Sequence, residues 1–233
     1  MSLLSVKDLV SHIGLFTILQ GVDVEVTRGE AVAILGRNGA GKTTFLRTLM
    51  GLVKTRSGTI TFDGHSLIGK TPHKISRMGI AYCPEDFSVF NELTVEENLI
   101  LARHHNDEAS AKRMEHILEL FPDLKLAYKR HASTLSGGQR QMLSVGRSLV
   151  NDAKLILIDE PSKGLAPVVI DKMALALKDI AEHTTIILVE QNFNMAAAVA
   201  ERYYMINEGR TVHNGSMKDL KEDKELQQHY LGV

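Results

Sequence analysis

A glycine-rich segment between an apolar run and a helical run is the feature that most restricts how this chain can fold. Residues 36–43 read GRNGAGKT, which fits the spacing GxxxxGK[ST], and they directly follow the apolar run Ala31–Leu35. Glycines let the backbone bend so that successive N–H groups face one concave point, and the following helix adds its positive N-terminal end. The segment therefore predicts a buried strand, a phosphate-binding loop and a helix, and an ordinary glycine-rich turn is the alternative that it disfavours.

The side chains of this loop predict how a triphosphate such as ATP is held. We expect Lys42 to contact the β- and γ-phosphates, the Thr43 hydroxyl to bind Mg²⁺, and Thr44 to lie near the α-phosphate. Nucleotide contacts are expected along the whole segment, which comprises Gly36, Arg37, Asn38, Gly39, Ala40, Gly41, Lys42, Thr43 and Thr44.

A second apolar run, 155–158, ends in the acidic pair Asp159 and Glu160. We expect the strand to point Asp159 at the phosphate site, where it can order the Mg²⁺ shell. Glu160 can then face the attacking water and act as general base. The alternative is that the two acids only cap the next element, and the presence of Lys42 in the same chain disfavours it.

The spacing of apolar residues predicts an α/β fold. Three short apolar runs (31–35, 155–158 and 185–189) are typical of strands inside a parallel sheet. Residues 3–9 and 22–26 alternate between apolar and polar, as half-exposed antiparallel strands do, and 57–64 reads as a strand between turns. The prediction is a P-loop NTPase core with a mostly parallel sheet and an added antiparallel β layer.

Residues 88–150 are predicted to form a helical subdomain inserted into this core, which would comprise residues 1–87 and 151–233. Thr94 is expected to cap one helix, because Glu97 follows three residues later. Residues 107–120 carry apolar residues at helical spacing, and residues 217–230 are expected to form one charged helix.

The sequence LSGGQ at 135–139 predicts a second phosphate-binding device at the start of a helix. Ser136 suits an N-cap, and Gly137 and Gly138 leave the helix N-terminus bare for an anion. The Lys42 loop already surrounds one set of phosphates. The economical interpretation is that Ser136 to Gln139 contact a nucleotide held by another copy, in a head-to-tail dimer with two ATP at its interface.

The three motifs, in this order and spacing, resemble the ABC ATPase family over essentially the whole chain. Five further segments (84–85, 93–98, 162–167, 189–192 and 230–233) resemble the LivF-type ATPases of branched-chain amino acid importers, with urea and amide importer ATPases as close alternatives. The resemblance implies ATP and Mg²⁺ as ligands. It also implies a second, LivG-type ATPase or a second copy of this chain, two membrane permeases, an indirectly coupled solute-binding protein, and a peripheral place at the cytoplasmic face of the cell membrane.

Two charged or polar positions depart from the pattern of the broad family. Glu85 stands where Gln is usual, and its carboxylate can still contact Mg²⁺ or its waters. Gln191 stands where His is usual, so this side chain can donate a hydrogen bond to the γ-phosphate but cannot exchange a proton. The proton chemistry is therefore expected to rest on Glu160.

Two further departures concern adenine and the contact between ATP sites. Ile13 occupies the approximate place of the aromatic that stacks on adenine, and nearby Phe16 is either its substitute or a core residue. Ala166 stands where an Asp is usual, which weakens communication between sites through a carboxylate. Gln191 and Ala166 leave open the alternative that the chain is a nucleotide-binding module that hydrolyses little ATP.

Composition restricts the remaining classes of function. The 233 residues carry a net charge of -1 and no broad basic stripe, so no nucleic-acid partner is expected. The ten histidines do not have metal-site spacing, and one cysteine excludes an internal disulfide. The sequence has no apparent signal peptide and no apolar run of bilayer length, so the chain is expected to be soluble. If it works at a membrane, another polypeptide is expected to anchor it there. ABC ATPases of DNA repair or translation usually carry coiled coils or two cassettes, which do not fit this length.

Overall fold

The computed structural model describes residues 2–232, so Met1 and Val233, at the outer ends of the two predicted core segments, lie outside the described residues. The elements in chain order are β1 (Ser2–Ile13), β2 (Phe16–Thr27), β3 (Ala31–Leu35), α1 (Lys42–Leu49), β4 (Thr55–Phe62), β5 (His65–Ser66), α2 (Pro72–Arg77), β6 (Ile80–Cys83), α3 (Val95–Ala102), α4 (Glu108–Leu120), α5 (Pro122–Leu126), α6 (Gly137–Leu149), β7 (Leu155–Asp159), α7 (Pro167–Ala181), β8 (Thr185–Val189), α8 (Phe193–Val199), β9 (Arg202–Asn207), β10 (Arg210–Ser216), α9 (Met217–Glu222) and α10 (Lys224–Tyr230).

The larger sheet has the strand order β10-β9-β3-β8-β7-β6. All its neighbouring pairs are parallel except β9 and β10, which are antiparallel. The residues of β3, β7 and β8 are all buried, which confirms that their apolar runs are interior strands. Parallel strands end at the same edge, so the segments after β3, β7 and β8 meet there, as ligand-binding segments of open α/β sheets do.

The smaller sheet has the order β2-β1-β4-β5 and is antiparallel throughout. One apolar cluster joins this sheet to α1 and to one face of the larger sheet, with Leu4, Leu19, Phe45 and Ile34 among its members. Helix α1 therefore lies between the two sheets. This packing fixes the position of the glycine-rich segment 36–41, which directly precedes α1. The α/β fold with an antiparallel layer is confirmed.

The segment between β6 and β7 is helical, from α3 to α6. Thr94 and Glu97 form the predicted capping box at the start of α3. A second apolar cluster contains residues of these helices, such as Leu99 and Leu143, together with Ile158 of β7. Because the helices share this cluster with the sheet, the division into a core and an inserted subdomain stays a prediction.

The prediction of one helix over residues 217–230 is wrong. The helix is interrupted at Asp223. The Asp223 carboxylate accepts a hydrogen bond at 2.9 Å from the N–H of Leu226, so that it caps α10. The buried Gln227 donates at 2.6 Å to the carbonyl of Leu220, which holds α10 against α9. The Asp223 side chain therefore caps a new helix, and α9 does not continue into α10.

Candidate nucleotide-binding site

The loop between β3 and α1 depends on glycine at its two ends. Gly36 has a φ of 151°, and an added Cβ there would lie 2.2 Å from the carbonyl oxygen of Ile206, so no side chain fits. Gly41 has a φ of 107° and precedes α1 without a side-chain cap. The first N–H groups of α1 therefore have no capping side chain as acceptor, and an anion can take that place.

Lys42 is nearly buried, with 4% of its surface exposed. Its ammonium donates to the carbonyls of Gly36 at 2.9 Å and Arg37 at 3.2 Å, and it lies 3.4 Å from Oε1 of Glu160. The carbonyls aim the ammonium across the loop, while the carboxylate supplies its counter-charge. A buried ammonium without such partners would be strongly destabilising. The structure thus joins two residues that the sequence assigned to separate motifs.

Asp159 lies at the carboxyl end of β7 and receives two hydroxyl donors. Thr43 donates to Oδ1 at 3.1 Å, and Tyr82 donates to Oδ2 at 3.3 Å. Burial raises the pKa of Asp159 to about 6; the Thr43 hydrogen bond opposes this rise and the charge of Glu160 adds to it. A cation beside this carboxylate would favour its ionised form.

The pair Thr43 and Asp159 fits Mg²⁺, which prefers hard oxygen ligands and keeps most of its coordination for water and phosphate. Within residues 2–232, no group of three or more His, Cys, Asp or Glu side chains could hold a metal ion by itself. A site built from one carboxylate, one hydroxyl and the phosphates of a bound nucleotide is compatible with this arrangement.

Glu85, the third predicted Mg²⁺ contact, forms an ion pair with Lys163. The same Lys163 ammonium lies 3.9 Å from Oε2 of Glu160, and hydrogen bonding to Glu85 raises the pKa of Lys163. Glu85 therefore lies in the charge network around Glu160, and its contact with Mg²⁺ stays a prediction.

Gln191 connects the segment after β8 to two other parts of the site. Its amide nitrogen donates to Oε1 of Glu160 at 3.0 Å and also to Oδ1 of Asn38. Glu160 itself has a φ of 46°, a conformation that non-glycine residues rarely adopt, and its N–H donates at 2.9 Å to the carbonyl of Val189. Lys42, Glu160 and Gln191 thus lie in contact at the edge of the sheet.

The LSGGQ segment caps α6 as the sequence predicts. The Ser136 hydroxyl accepts from the N–H of Gln139 at 3.2 Å, and the Gln139 side chain accepts from the N–H of Ser136 at 3.0 Å. An added Cβ at Gly137 would meet open space, whereas one at Gly138 would lie 2.6 Å from Val169. Gly138 therefore has a packing role against α7 in addition to the role that the sequence suggested.

Ile13 and Phe16 form the closing pair of the β1–β2 hairpin. They are 46% and 75% exposed, so the interpretation of Phe16 as a core residue is wrong. Strand β2 approaches the phosphate-binding loop at Leu19, three residues after Phe16. The Leu19 side chain would lie 3.0 Å from a Cβ added at Gly41. A contact of Ile13 or Phe16 with adenine stays a prediction.

Sequence reasoning assigned no role to three polar residues at this edge: Tyr82, Lys163 and Glu190. Tyr82 is the polar residue of an otherwise apolar strand beside β7. Glu190 directly follows a buried strand, as Glu160 does, and this shared placement was the available signal. Lys163 has no such signal, because only the fold brings it to Glu85.

Comparison with known proteins identifies the family of this chain. A family model described as ABC transporter matches residues 19–163. The chain is 41% identical over 232 residues to the high-affinity branched-chain amino acid transport ATP-binding protein BraG of Pseudomonas aeruginosa, covering 99% of this chain and 100% of BraG. It is 37% identical over 221 residues to a probable branched-chain amino acid transport ATP-binding protein LivF of Archaeoglobus fulgidus, covering 93% of each.

A more distant relative and a solved structure extend this picture. The lipopolysaccharide export system ATP-binding protein LptB of Escherichia coli is 32% identical over 241 residues, covering 100% of this chain and 98% of LptB. The ADP conformation of an ATP-binding cassette from an ABC transporter superposes with a TM-score of 0.85 at 25% identity, covering 100% of both chains. Within the described residues, no helix is both long enough and apolar enough to cross a membrane.

Proposed function

Because this chain belongs to the ABC transporter family and is one of its ATP-binding, ATP-hydrolysing subunits, we propose that it drives an importer of branched-chain amino acids or of a related small solute. The names of the BraG and LivF relatives support the solute class. The observation that carries the catalytic part is the contact of Lys42, Glu160 and Gln191 at the carboxyl edge of the sheet.

In this proposal the loop 36–44 surrounds the phosphates, and Lys42 exchanges the Glu160 carboxylate for phosphate oxygens. Glu160 is then free to accept a proton from the attacking water as general base. Gln191 orients Glu160 through its amide and can donate to the γ-phosphate. Thr43 and Asp159, with Glu85 nearby, would hold Mg²⁺, which when bound would offset the negative charge of the phosphates.

We propose further that Ser136, Gly137, Gly138 and Gln139 complete the ATP site of a second subunit. The bare face at Gly137 and the exposed cap at Ser136 support this role. The second subunit is a LivG-type ATPase or another copy of this chain. ATP-driven closure of the pair would move two membrane permeases, which receive solute from a solute-binding protein and hold the chain peripherally at the cytoplasmic face of the membrane.

The inserted helices have a place in this scheme. We propose that residues 88–150 act as a helical subdomain that carries the Ser136 segment towards or away from the partner's ATP. Its helices share an apolar cluster with the sheet, so a rotation of the subdomain would require part of this packing to change.

Export is the second candidate function, because the LptB relative matches the whole chain. The two candidates differ in the permease and in the transported molecule. Uptake of labelled leucine, isoleucine and valine in a strain lacking this chain distinguishes them. Import predicts that uptake is lost and is restored by the wild-type chain but not by Glu160→Gln. Unchanged uptake of these amino acids, and of urea and amides, would contradict the import proposal.

Hydrolysis is tested by phosphate release from the chain together with its partner subunits. Glu160→Gln keeps the size of the side chain and removes the base, so we expect a loss of about 100-fold or more. The exposed Glu115 provides a matched control, because Glu115→Gln makes the same chemical change away from the site. Equally slow release by the wild type and Glu160→Gln would show that the enzyme assignment fails.

A further inference from the structure

Glu190 is a buried carboxylate that directly follows β8, in the segment VEQN at 189–192. Its side chain is 1% exposed and accepts four hydrogen bonds. Oε1 accepts from the N–H of Ser162 at 2.9 Å, and Oε2 accepts from the Ser162 hydroxyl at 2.8 Å. Oε2 also accepts from the N–H groups of Gln191 at 3.1 Å and Asn192 at 3.0 Å. One carboxylate thus connects the segment after β7 to the segment after β8.

Both connected segments act on the same group. Ser162 lies two residues after Glu160, and the Gln191 side chain donates to Glu160 at 3.0 Å. Movement of either segment would shift the Glu160 carboxylate relative to Lys42, which lies 3.4 Å from it. The unusual φ of Glu160 also requires a surrounding structure that holds its backbone. Glu190 supplies part of that structure.

The cost of burying this carboxylate indicates a specific role. Burial raises the pKa of Glu190, and the hydrogen bonds from Ser162, Asn192 and Gln191 act in the opposite direction. All four donors are neutral groups, so Glu190 is held by directed hydrogen bonds, which fix geometry more strictly than an ion pair of flexible side chains does.

The segment after Glu160 has few other anchors to the site. Ala166, which precedes α7, provides no side-chain cap to that helix, and an added Cβ at Gly164 would meet open space. Lys163 is exposed and bonded to Glu85. The two hydrogen bonds from Ser162 to Glu190 are therefore the buried polar connection of this segment.

We propose that Glu190 is a positioning residue for ATP hydrolysis, which holds the Ser162 and Gln191 segments together so that Glu160 keeps the geometry of a general base. The inference rests on the proposed role of Glu160. It predicts a large effect on the chemical step and a smaller effect on ATP binding, because none of the Glu190 hydrogen bonds reaches the phosphate-binding loop 36–44, which the Gln191 segment contacts through the Asn38 side chain.

The sharpest variant is Glu190→Gln, which has the same size and shape. An amide nitrogen in place of Oε1 would face the N–H of Ser162, and one in place of Oε2 would face three donors. Either orientation sets donor against donor. We expect kcat to fall about 10- to 100-fold, since small misplacements of catalytic groups have effects of this size, while KM for ATP changes less than about 2-fold.

Ser162→Ala is the second variant, and it removes one of the four donors without disturbing the backbone. We expect a smaller loss of kcat than in Glu190→Gln, again with KM retained. The double variant should be little worse than Glu190→Gln alone, because both changes break the same connection. Glu115→Gln, on the exposed face of α4, is the control for introducing an amide.

The measurements are steady-state phosphate release with the partner subunits and the rise in unfolding temperature that MgATP causes. Retained ATP-induced stabilisation with reduced kcat supports the positioning role. Unchanged kcat in folded Glu190→Gln, or a KM that rises as kcat falls, would overturn it. If Glu190→Gln does not fold, unchanged kcat in Ser162→Ala overturns it instead. Failure of the proposed function looks different, because the wild type and Glu160→Gln would then release phosphate equally slowly.

Discussion

The ammonium of Lys42 lies 3.4 Å from a carboxylate oxygen of Glu160, and both side chains are at least nine-tenths buried. Each is the other's counter-charge, and phosphates that bind Lys42 as proposed must compete with Glu160 for the same ammonium. The residue proposed to bind the nucleotide and the residue proposed to activate water are therefore coupled before any chemistry takes place. The same competition would release Glu160 from Lys42 only when phosphate occupies the loop.

This coupling predicts opposite effects of Glu160→Gln on the free protein and on ATP binding. Without MgATP the variant should unfold at a lower temperature, because the buried Lys42 loses its counter-charge. MgATP should then raise the unfolding temperature more than in the wild type, because no carboxylate competes for Lys42. Thermal unfolding with and without MgATP measures both effects, with Glu115→Gln as control. An equal MgATP-induced rise in the two proteins would contradict the prediction.

Gln191→Glu tests the amide that bonds Glu160. A carboxylate in its place would lie near the 3.0 Å spacing of the present hydrogen bond and repel Glu160. We expect kcat to fall about 100-fold, the scale associated with one catalytic proton-transfer group. Gln191→Ala removes the hydrogen bond without adding charge, so it should lose less. Equal losses of phosphate release in the two variants would mean that charge at this place is unimportant.

Ser136 allows its two roles, helix cap and contact to a partner's nucleotide, to be separated. Ser136→Ala removes the cap and should reduce the free energy of unfolding by about 1 kcal/mol. Ser136→Asp keeps a good cap at the helix N-terminus but brings a negative charge towards phosphate. Urea unfolding should therefore show a stable Asp variant.

The dimer assay completes this test. In the Glu160→Gln background, light scattering with MgATP should detect a dimer when Ser136 is present, with the partner ATPase added if needed, and no dimer for Ser136→Asp. A normal dimer of the stable Asp variant would show that Ser136 does not approach a nucleotide held by another subunit.

Cys83 should be unreactive in the folded protein. The thiol is buried, and burial raises its pKa from 9.0 to about 11, while the contact with Ser144 lowers it. Between these values the unfolded chain has lost the proton that the folded chain keeps, so the thiol's contribution to stability falls as pH rises from 9 towards 11. A thiol reagent at pH 8 should react with Cys83 at the rate of unfolding. Urea unfolding at pH 8 and pH 10 measures the effect on stability. The change in the free energy of unfolding between these pH values should be smaller in Cys83→Ala than in the wild type. Immediate modification of the folded protein would contradict the prediction.

Elements that depend on a few neighbouring residues were predictable from the sequence. The glycines of the loop 36–43, the interior strands β3, β7 and β8, and the caps at Thr94 and Ser136 belong to this class. Their causes are backbone conformations that only glycine tolerates, continuous burial, and hydrogen bonds within three residues. Such causes are contained within short stretches of chain. The break at Asp223 is of the same local kind, but the charged residues on both sides of it, with no Gly or Pro between 217 and 230, do not mark it in the sequence.

The contacts between distant residues were decided only by the tertiary structure. Thr43 and Asp159 bond across 116 positions of the chain. The pairings of Lys42 with Glu160, of Glu85 with Lys163 and of Glu190 with Ser162 also join residues that are distant in sequence. Each pairing depends on the strand order β3-β8-β7-β6 and on the register of these strands, and both are set by packing of the whole apolar core. The sequence by itself determined the chemical groups of the site, and the packing of the sheet determined which of them touch.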